Sequence, residues 1–379
     1  MNNKATHIQL LILGLTSLVF ELTVIAKEEG TSKQNPKLII TNVSLKNKSF
    51  DPTKEEAHIN YKLSNKARIS VRIYDRDDFL VRQLVINEPA DEGYNTVAWD
   101  GKDDSGDYLH PGAYTYVVKA VSLDSKQTAL YDRTDESYGK ELTLRSLSYD
   151  AKTGRIEFVL PNAAMLRIRV GIREGGPLLS TLVDWHPQEA GRNQFMWDGS
   201  IGLKGLNLQS DPSIQFNLAA YSLPDNSIIV RYIKPHGKGF SKSKSDRIEK
   251  RAKNKPPFKK YLHATHPEVG CREPKLNIEF PNASEYTKDR IPVVTGVVPV
   301  RVIVDDQDKK FLQDERYEVI FFVDFVFLYE EEEGISPINY LFDTKGMSEG
   351  KHLLTVNLIS FKDHIGTMTK QVFVKRTKQ

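Results

Sequence analysis

The stretch Asp100-Gly-Lys-Asp-Asp-Ser-Gly-Asp107 places four aspartates within eight residues. Carboxylates at that density could ligate calcium, whose loops take oxygen ligands at alternate positions and a glutamate at the twelfth. Here the third position is Lys102, and no glutamate stands at the twelfth. The expected role of Asp100, Asp103, Asp104 and Asp107 is a tight turn in which aspartates cap backbone amides and glycines take positive φ. A calcium site is the alternative.

Other chemistry-bearing residues are scattered. His263 and His266, followed by Cys271, offer borderline-soft metal ligands. Their spacing fits no metal motif, and Pro267 and nearby lysines favour a solvated segment. The run Glu330-Glu-Glu-Glu333 should repel itself and sit in solvent at a hairpin tip, with a cation site or a surface for a basic partner as alternatives. Asp305-Asp306-Gln307-Asp308 reads as a loop. There is no Gly-x-Ser-x-Gly elbow, no His-Glu-x-x-His and no phosphate loop. The expectation is a protein without catalytic residues or cofactor. The single cysteine, Cys271, excludes an intrachain disulfide.

The elements around these residues are strands. Ala57, Ile59, Tyr61 and Leu63 alternate with polar residues, as do Ile69, Val71 and Ile73, and turn signals recur about every ten residues. That pattern predicts β-sandwiches. Laying Tyr61 on Phe158 aligns Leu63 with Leu160, Ala67 with Ala164 and Ile73 with Val170. After one inserted residue, Gly93 meets Gly191, Asn95 meets Asn193, and Trp99-Asp100-Gly101 meets Trp197-Asp198-Gly199. One register with a single slip marks two copies of one fold. The second copy lacks the aspartate-rich turn and the Pro111-Gly112-Ala113-Tyr114 approach to the last strand.

Phe50-Asp51-Pro52, Ile59-Asn60-Tyr61-Lys62-Leu63-Ser64, Val71-Arg72-Ile73-Tyr74-Asp75, Trp99-Asp100-Gly101-Lys102-Asp103 and Pro111-Gly112-Ala113-Tyr114 together resemble the Ig-like domain of the flagellar hook-capping protein FlgD. Farther on, Phe321-Phe322-Val323-Asp324-Phe325, Phe342-Asp343-Thr344 and Gly350-Lys351-His352-Leu353-Leu354-Thr355-Val356 resemble a bacterial Ig-like module. In that module a glycine usually stands at the position of Phe325 and a tryptophan at that of Phe342. The resemblances imply an all-β chain of three Ig-like, fibronectin-like β-sandwich domains in tandem. The boundaries read 38–123 for the FlgD-like domain, 141–233 for its degenerate copy and 273–376 for the third module.

Lys4 followed by the apolar Leu10–Phe20 and by Val24-Ile25-Ala26 reads as a signal peptide over 1–26, with an uncleaved anchor as the alternative. Residues 27–37 should be a disordered N-terminus. Export by a signal peptide would set the chain apart from the hook-capping protein itself. No later segment has the roughly 20 apolar residues of a bilayer span, so no membrane span is expected after cleavage. Residues 234–272 form a basic linker in which Lys250, Arg251, Lys253, Lys255, Lys259 and Lys260 are candidate partner-binding residues. A solvated spacer and a contact for an anionic polymer or polysaccharide are its two readings. Its few aromatics, Phe240, Phe258 and Tyr261, argue against a nucleic-acid groove.

Together these residues predict a secreted, extracellular or periplasmic, non-enzymatic structural or interaction protein that docks on protein partners in a larger envelope assembly. A carbohydrate-binding or adhesion accessory protein is the alternative, suggested by Tyr108, Trp185 and Tyr340 as exposed aromatics.

Overall fold

A computed structural model describes residues 37–76, 78–124, 126–134, 139–231, 273–362 and 364–376. The expected signal segment and the basic linker, with Lys250, Arg251, Lys253, Lys255, Lys259, Lys260, His263, His266 and Cys271, lie outside the described residues. The chain runs through β1 (Ile40–Lys46), β2 (Ser49–Phe50), β3 (Ala57–Leu63), β4 (Ala67–Tyr74), β5 (Leu80–Ala90), β6 (Gly93–Trp99), β7 (Gly112–Ser122) and β8 (Thr128–Tyr131). It continues through β9 (Arg145–Asp150), β10 (Arg155–Leu160), β11 (Ala164–Ile172), β12 (Leu178–Gln188), β13 (Gly191–Met196), β14 (Ile214–Ser222) and β15 (Ser227–Val230). The last group is β16 (Leu276–Glu279), β17 (Val293–Val294), β18 (Val297–Val304), the helix α1 (Asp306–Glu315), β19 (Tyr317–Val323), β20 (Val326–Glu331), β21 (Ile338–Asp343), β22 (Gly350–Ser360) and β23 (Ile365–Val374). The fold is all-β, as its alternating residues require.

In the first sandwich the sheet β1-β3-β6 faces a sheet ordered β2-β15-β7-β4-β5, with β8 also paired to β7. Ala57, Ile59, Tyr61 and Leu63 of β3 all point into the core, as period-two alternation demands. Trp99 is fully buried there, edge-on to Phe50 at 5.8 Å and to Tyr114 at 5.5 Å. The second sandwich sets β13-β10-β9 against β12-β11-β14 around Ile156, Phe158, Ile168 and Trp197. The third sets β16-β18-β21 against β17-β23-β22-β19-β20.

The two copies agree in detail. Gly93 and Gly191 both take φ 101°, a value that L side chains rarely adopt. Asn95 and Asn193 each donate to the carbonyl two residues back, Gly93 at 3.0 Å and Gly191 at 3.1 Å. The register read from the sequence is the register of the fold.

The boundaries between the copies differ from the 38–123 and 141–233 of the sequence reading. β7 pairs along its second half with β8, through Val118–Val121, and along its first half with β15, through Gly112–Thr115. Asn226, fully buried, sits where one strand gives way to the other. Its side chain donates to Tyr116 O at 2.8 Å, and its carbonyl accepts from Tyr116 N at 3.0 Å. The last strand of the first sandwich is thus split, and the second sandwich is inserted between its halves. Ile228 and Val230 alternate into the first core, which fixes β15 to that sheet although it follows the second copy in sequence.

Asp305–Asp308, expected as a loop, instead begins α1. Asp305 caps the helix by accepting from Gln307 N at 3.0 Å, and Asp306 and Asp308 fall in its first turn. Side-chain capping and acidic residues at the positive end of the helix dipole explain the difference.

Candidate docking edge

The aspartate-rich turn is built on Trp99, whose Nε1 donates to Lys102 O at 3.0 Å while Asp100 Oδ1 accepts from Lys102 N at 3.1 Å. Asp103 Oδ1 accepts from Ser105 N and Asp107 N, and Asp104 Oδ1 accepts from Gln83 N at 2.9 Å. Asp100, Asp103 and Asp104 therefore cap backbone amides. The second copy repeats the corner: Trp197 Nε1 donates to Ser200 O at 2.9 Å, and Asp198 Oδ1 accepts from Ser200 N at 2.9 Å. At Gly101, with φ 74°, an added Cβ would come within 2.5 Å of the Pro52 side chain, so the corner admits only glycine. Among the described residues no group of three or more His, Cys, Asp or Glu could hold a metal ion.

Of the aromatics read as exposed, Trp185 is buried at 4% exposure against Met165, Leu223 and Ile229, with the Arg167 guanidinium 4.6 Å over its ring. It faces the junction with the first sandwich, and the amphipathic alternation of β12 did not reveal which side that junction covers. Tyr108 and Tyr340 are half-buried. A cavity of about 470 Å³ near that junction, lined in part by Lys48, Lys140, Asn162 and Glu189, has no aromatic among its described lining residues.

Exposed apolar surface gathers on β20. It is the last strand of its sheet and, among the described residues, pairs only with β19. Val326, Phe327 and Tyr329 are 66%, 57% and 37% exposed. Tyr329 stacks on Tyr340 of β21 at 4.9 Å, and Tyr340 lies 4.9 Å from the core residue Phe321. The edge is thereby braced against both sheets. Tyr329 Oη donates to Glu331 Oε2 at 3.0 Å, and this hydrogen bond to a carboxylate raises the phenol above its ordinary range. Glu330-Glu-Glu-Glu333 is not a hairpin tip. Glu330 and Glu331 belong to β20, while Glu332 and Glu333 are exposed where the chain passes to the other sheet.

A Ser-His-Asp cluster that the sequence reading did not single out lies at the start of this hairpin. His352 Nδ1 is 2.5 Å from Asp324 Oδ2, and its Nε2 is 2.9 Å from Ser348 O and 3.3 Å from Ser348 Oγ. Bonding a carboxylate and a carbonyl requires a proton on each ring nitrogen, so the imidazolium is a clamp here and not a base for Ser348. The spacing of Asp324 and His352 across β19 and β22 was invisible without strand register.

Residues 46–124 match the FlgD Ig-like domain family. This segment is similar to an FlgD-type Ig-like domain. The match ends after β7, before the split last strand. Among solved structures the chain is similar to the fibronectin(III)-like modules of Clostridium thermocellum CbhA, with 12% identity over 88% of this chain and 94% of that one and a TM-score of 0.21. It is similar to FlgD of P. aeruginosa, with 17% identity over 41% of this chain and 96% of that one and a TM-score of 0.20. A Ca2+-stabilized adhesin of an Antarctic bacterium shares 11% identity over 89% of this chain and 74% of that one, with a TM-score of 0.19. No curated protein matches the chain.

Proposed function

We propose that the protein is an exported, non-enzymatic interaction protein of an extracellular or envelope assembly, and that it docks through β20. The observation that carries this reading is the apolar β20 edge, unpaired on its outer side among the described residues and flanked by four glutamates. An edge strand offers a row of free backbone donors and acceptors, and strand addition uses them with side-chain contacts for specificity. The occupant suited to this edge is an extended polypeptide with apolar residues opposite Val326, Phe327 and Tyr329 and basic residues beside Glu330–Glu333. No helix among the described residues is long and apolar enough to cross a membrane.

The test is fluorescence anisotropy on the full chain with three labelled probes: a Val/Lys-alternating peptide, its Val/Glu counterpart and a neutral soluble polysaccharide. The reading expects the Val/Lys peptide to bind and the double variant Phe327→Lys, Glu331→Lys to lose at least tenfold in affinity. Binding of the polysaccharide instead supports the adhesion reading, for which the Tyr329–Tyr340 stack would be the platform. Equal binding of both peptides, or of neither, overturns docking at this edge.

A further inference from the structure

The split last strand has a mechanical consequence. The described chain enters the first sandwich at Lys37 and leaves it at Arg231, at the end of β15. β15 lies parallel to β2, the second strand of that sandwich. Ile229 N donates to Lys48 O at 2.7 Å, Arg231 N to Phe50 O at 2.8 Å, and the Arg231 guanidinium to Ser49 O at 3.1 Å. Tension between the N-terminal side of β2 and the C-terminal side of β15 pulls two parallel strands in opposite directions. Their hydrogen bonds are then loaded together, in shear. Ile228 and Val230 must also leave the apolar core for the strand to slide.

No strand of the second sandwich lies in this path, and it touches β15 through side chains: the Arg231–Glu189 ion pair at 2.9 Å and Ile229 packed on Trp185. Its entering and leaving segments are tied to each other: Gly139 N donates to Ser222 O at 3.1 Å, Ser222 N to Lys140 O at 2.9 Å and Leu142 N to Ala220 O at 2.8 Å. Once the first sandwich opens, tension reaches these antiparallel ends side by side and breaks their bonds one after another.

We propose that β2 and β15 form a load-bearing clamp, so that tension carried between Lys37 and Arg231 bypasses the second sandwich until the first has opened. The first two sandwiches would then act as a tether that extends in two fixed steps, the outer domain guarding the inserted one. Forced unfolding follows the barrier to opening and not the equilibrium stability, so the order is set by topology even where the second sandwich is the less stable of the two.

The experiment is optical-tweezer extension of the full chain carrying Lys37→Cys, Tyr232→Cys and Cys271→Ser, with handles on the two new thiols. At about 3.6 Å per extended residue, opening the first sandwich should add roughly 40 nm, followed always by a step of roughly 30 nm from the second. Handles at Glu141→Cys and Asp225→Cys, again with Cys271→Ser, load the second sandwich directly and identify its step. Replacing Ile229 with proline removes the donor to Lys48 O, and the force of the first step should fall while the order holds. A 30 nm step that precedes the 40 nm step with the outer handles overturns the proposal. So does an unchanged first-step force in Ile229→Pro.

Discussion

Asn357 holds Leu178 by both of its backbone polar groups. Its Nδ2 donates to Leu178 O at 2.8 Å, and its Oδ1 accepts from Leu178 N at 2.8 Å. Thr367 Oγ1 adds a third bond to Leu178 O at 2.7 Å. The side-chain amide thus stands in for a strand neighbour and joins β22 of the third sandwich to the first residue of β12 in the second. On the same sheet face Thr355 and Thr369 are buried and bonded to each other at 3.0 Å, so this outward-facing row of polar residues is an interface.

Replacing Asn357 with alanine removes both bonds and leaves the Leu178 N–H unpaired in a half-buried site. An unsatisfied buried group costs about 1–3 kcal/mol. The expected outcome is amide exchange at Leu178 faster by one to two orders of magnitude, with the cores of both sandwiches unchanged. Exchange measured residue by residue checks this, and an unaltered Leu178 rate would count against the bidentate contact.

Phe325 occupies a turn position that favours glycine, and the structure shows what the larger residue does there. Asp324 and Phe325 take φ 48° and 70° in the two-residue turn between β19 and β20, a turn that favours Asp-Gly. A non-glycine residue there costs on the order of 1 kcal/mol. Against that cost, the half-buried Phe325 ring packs on the core of the second sandwich, a contact worth part of the about 1.5–3 kcal/mol that full burial of such a ring contributes. Phe325→Gly should therefore tighten the hairpin and loosen the junction. The third sandwich should melt slightly higher while the radius of gyration from small-angle scattering increases.

The same turn is pH-sensitive. Burial lowers the His352 pKa, but the hydrogen bonds its ring donates to the Asp324 carboxylate and the Ser348 carbonyl, together with the Asp324 charge, outweigh it, and the net shift is upward. A folded-state pKa above the unfolded value means that the imidazolium stabilises the fold fully below the ordinary histidine value near 6.5. That contribution is lost as pH rises through the raised value. Denaturant midpoints of the third sandwich should fall as pH rises above the ordinary histidine value, and His352→Gln should flatten that part of the profile. An equal slope in the variant would remove His352 as its source.

What the sequence disclosed was local or repeated. Trp99-Asp-Gly and Trp197-Asp-Gly were legible because each corner is closed by bonds within three residues, and Gly93 and Gly191 because each needs a backbone only glycine favours. The destination of Ile228-Ile229-Val230 was not legible, since an apolar run tells that a strand forms but not which sheet receives it. Trp185 read as surface for a related reason: a junction between sandwiches leaves no period in one strand. The Asp305 cap was present in the residue types, but the short α1 has too few apolar residues for a helical stripe to announce it. The β20 edge was half-legible. Its apolar residues and the glutamates after them stand in the sequence, whereas its place at the rim of a sheet depends on pairing.

Ile228 distinguishes an inserted second sandwich from one merely following the first. It is fully buried in the first core, between residues that precede it by more than a hundred positions. Ile228→Asp would place a carboxylate among Phe50, Tyr116 and their neighbours, a burial that costs several kcal/mol unless the strand leaves. β15 should then detach, uncovering Gly112–Thr115 of β7 and the backbone acceptors of β2. Hydrogen exchange should rise by at least tenfold in β2, in the first half of β7 and through β3 and β4, while β10 and β11 keep their protection because Ile156, Phe158 and Ile168 touch none of the altered contacts. If β10 and β11 lost protection and β3 and β4 did not, residues 227–230 would belong to the second sandwich, and the split strand would be wrong.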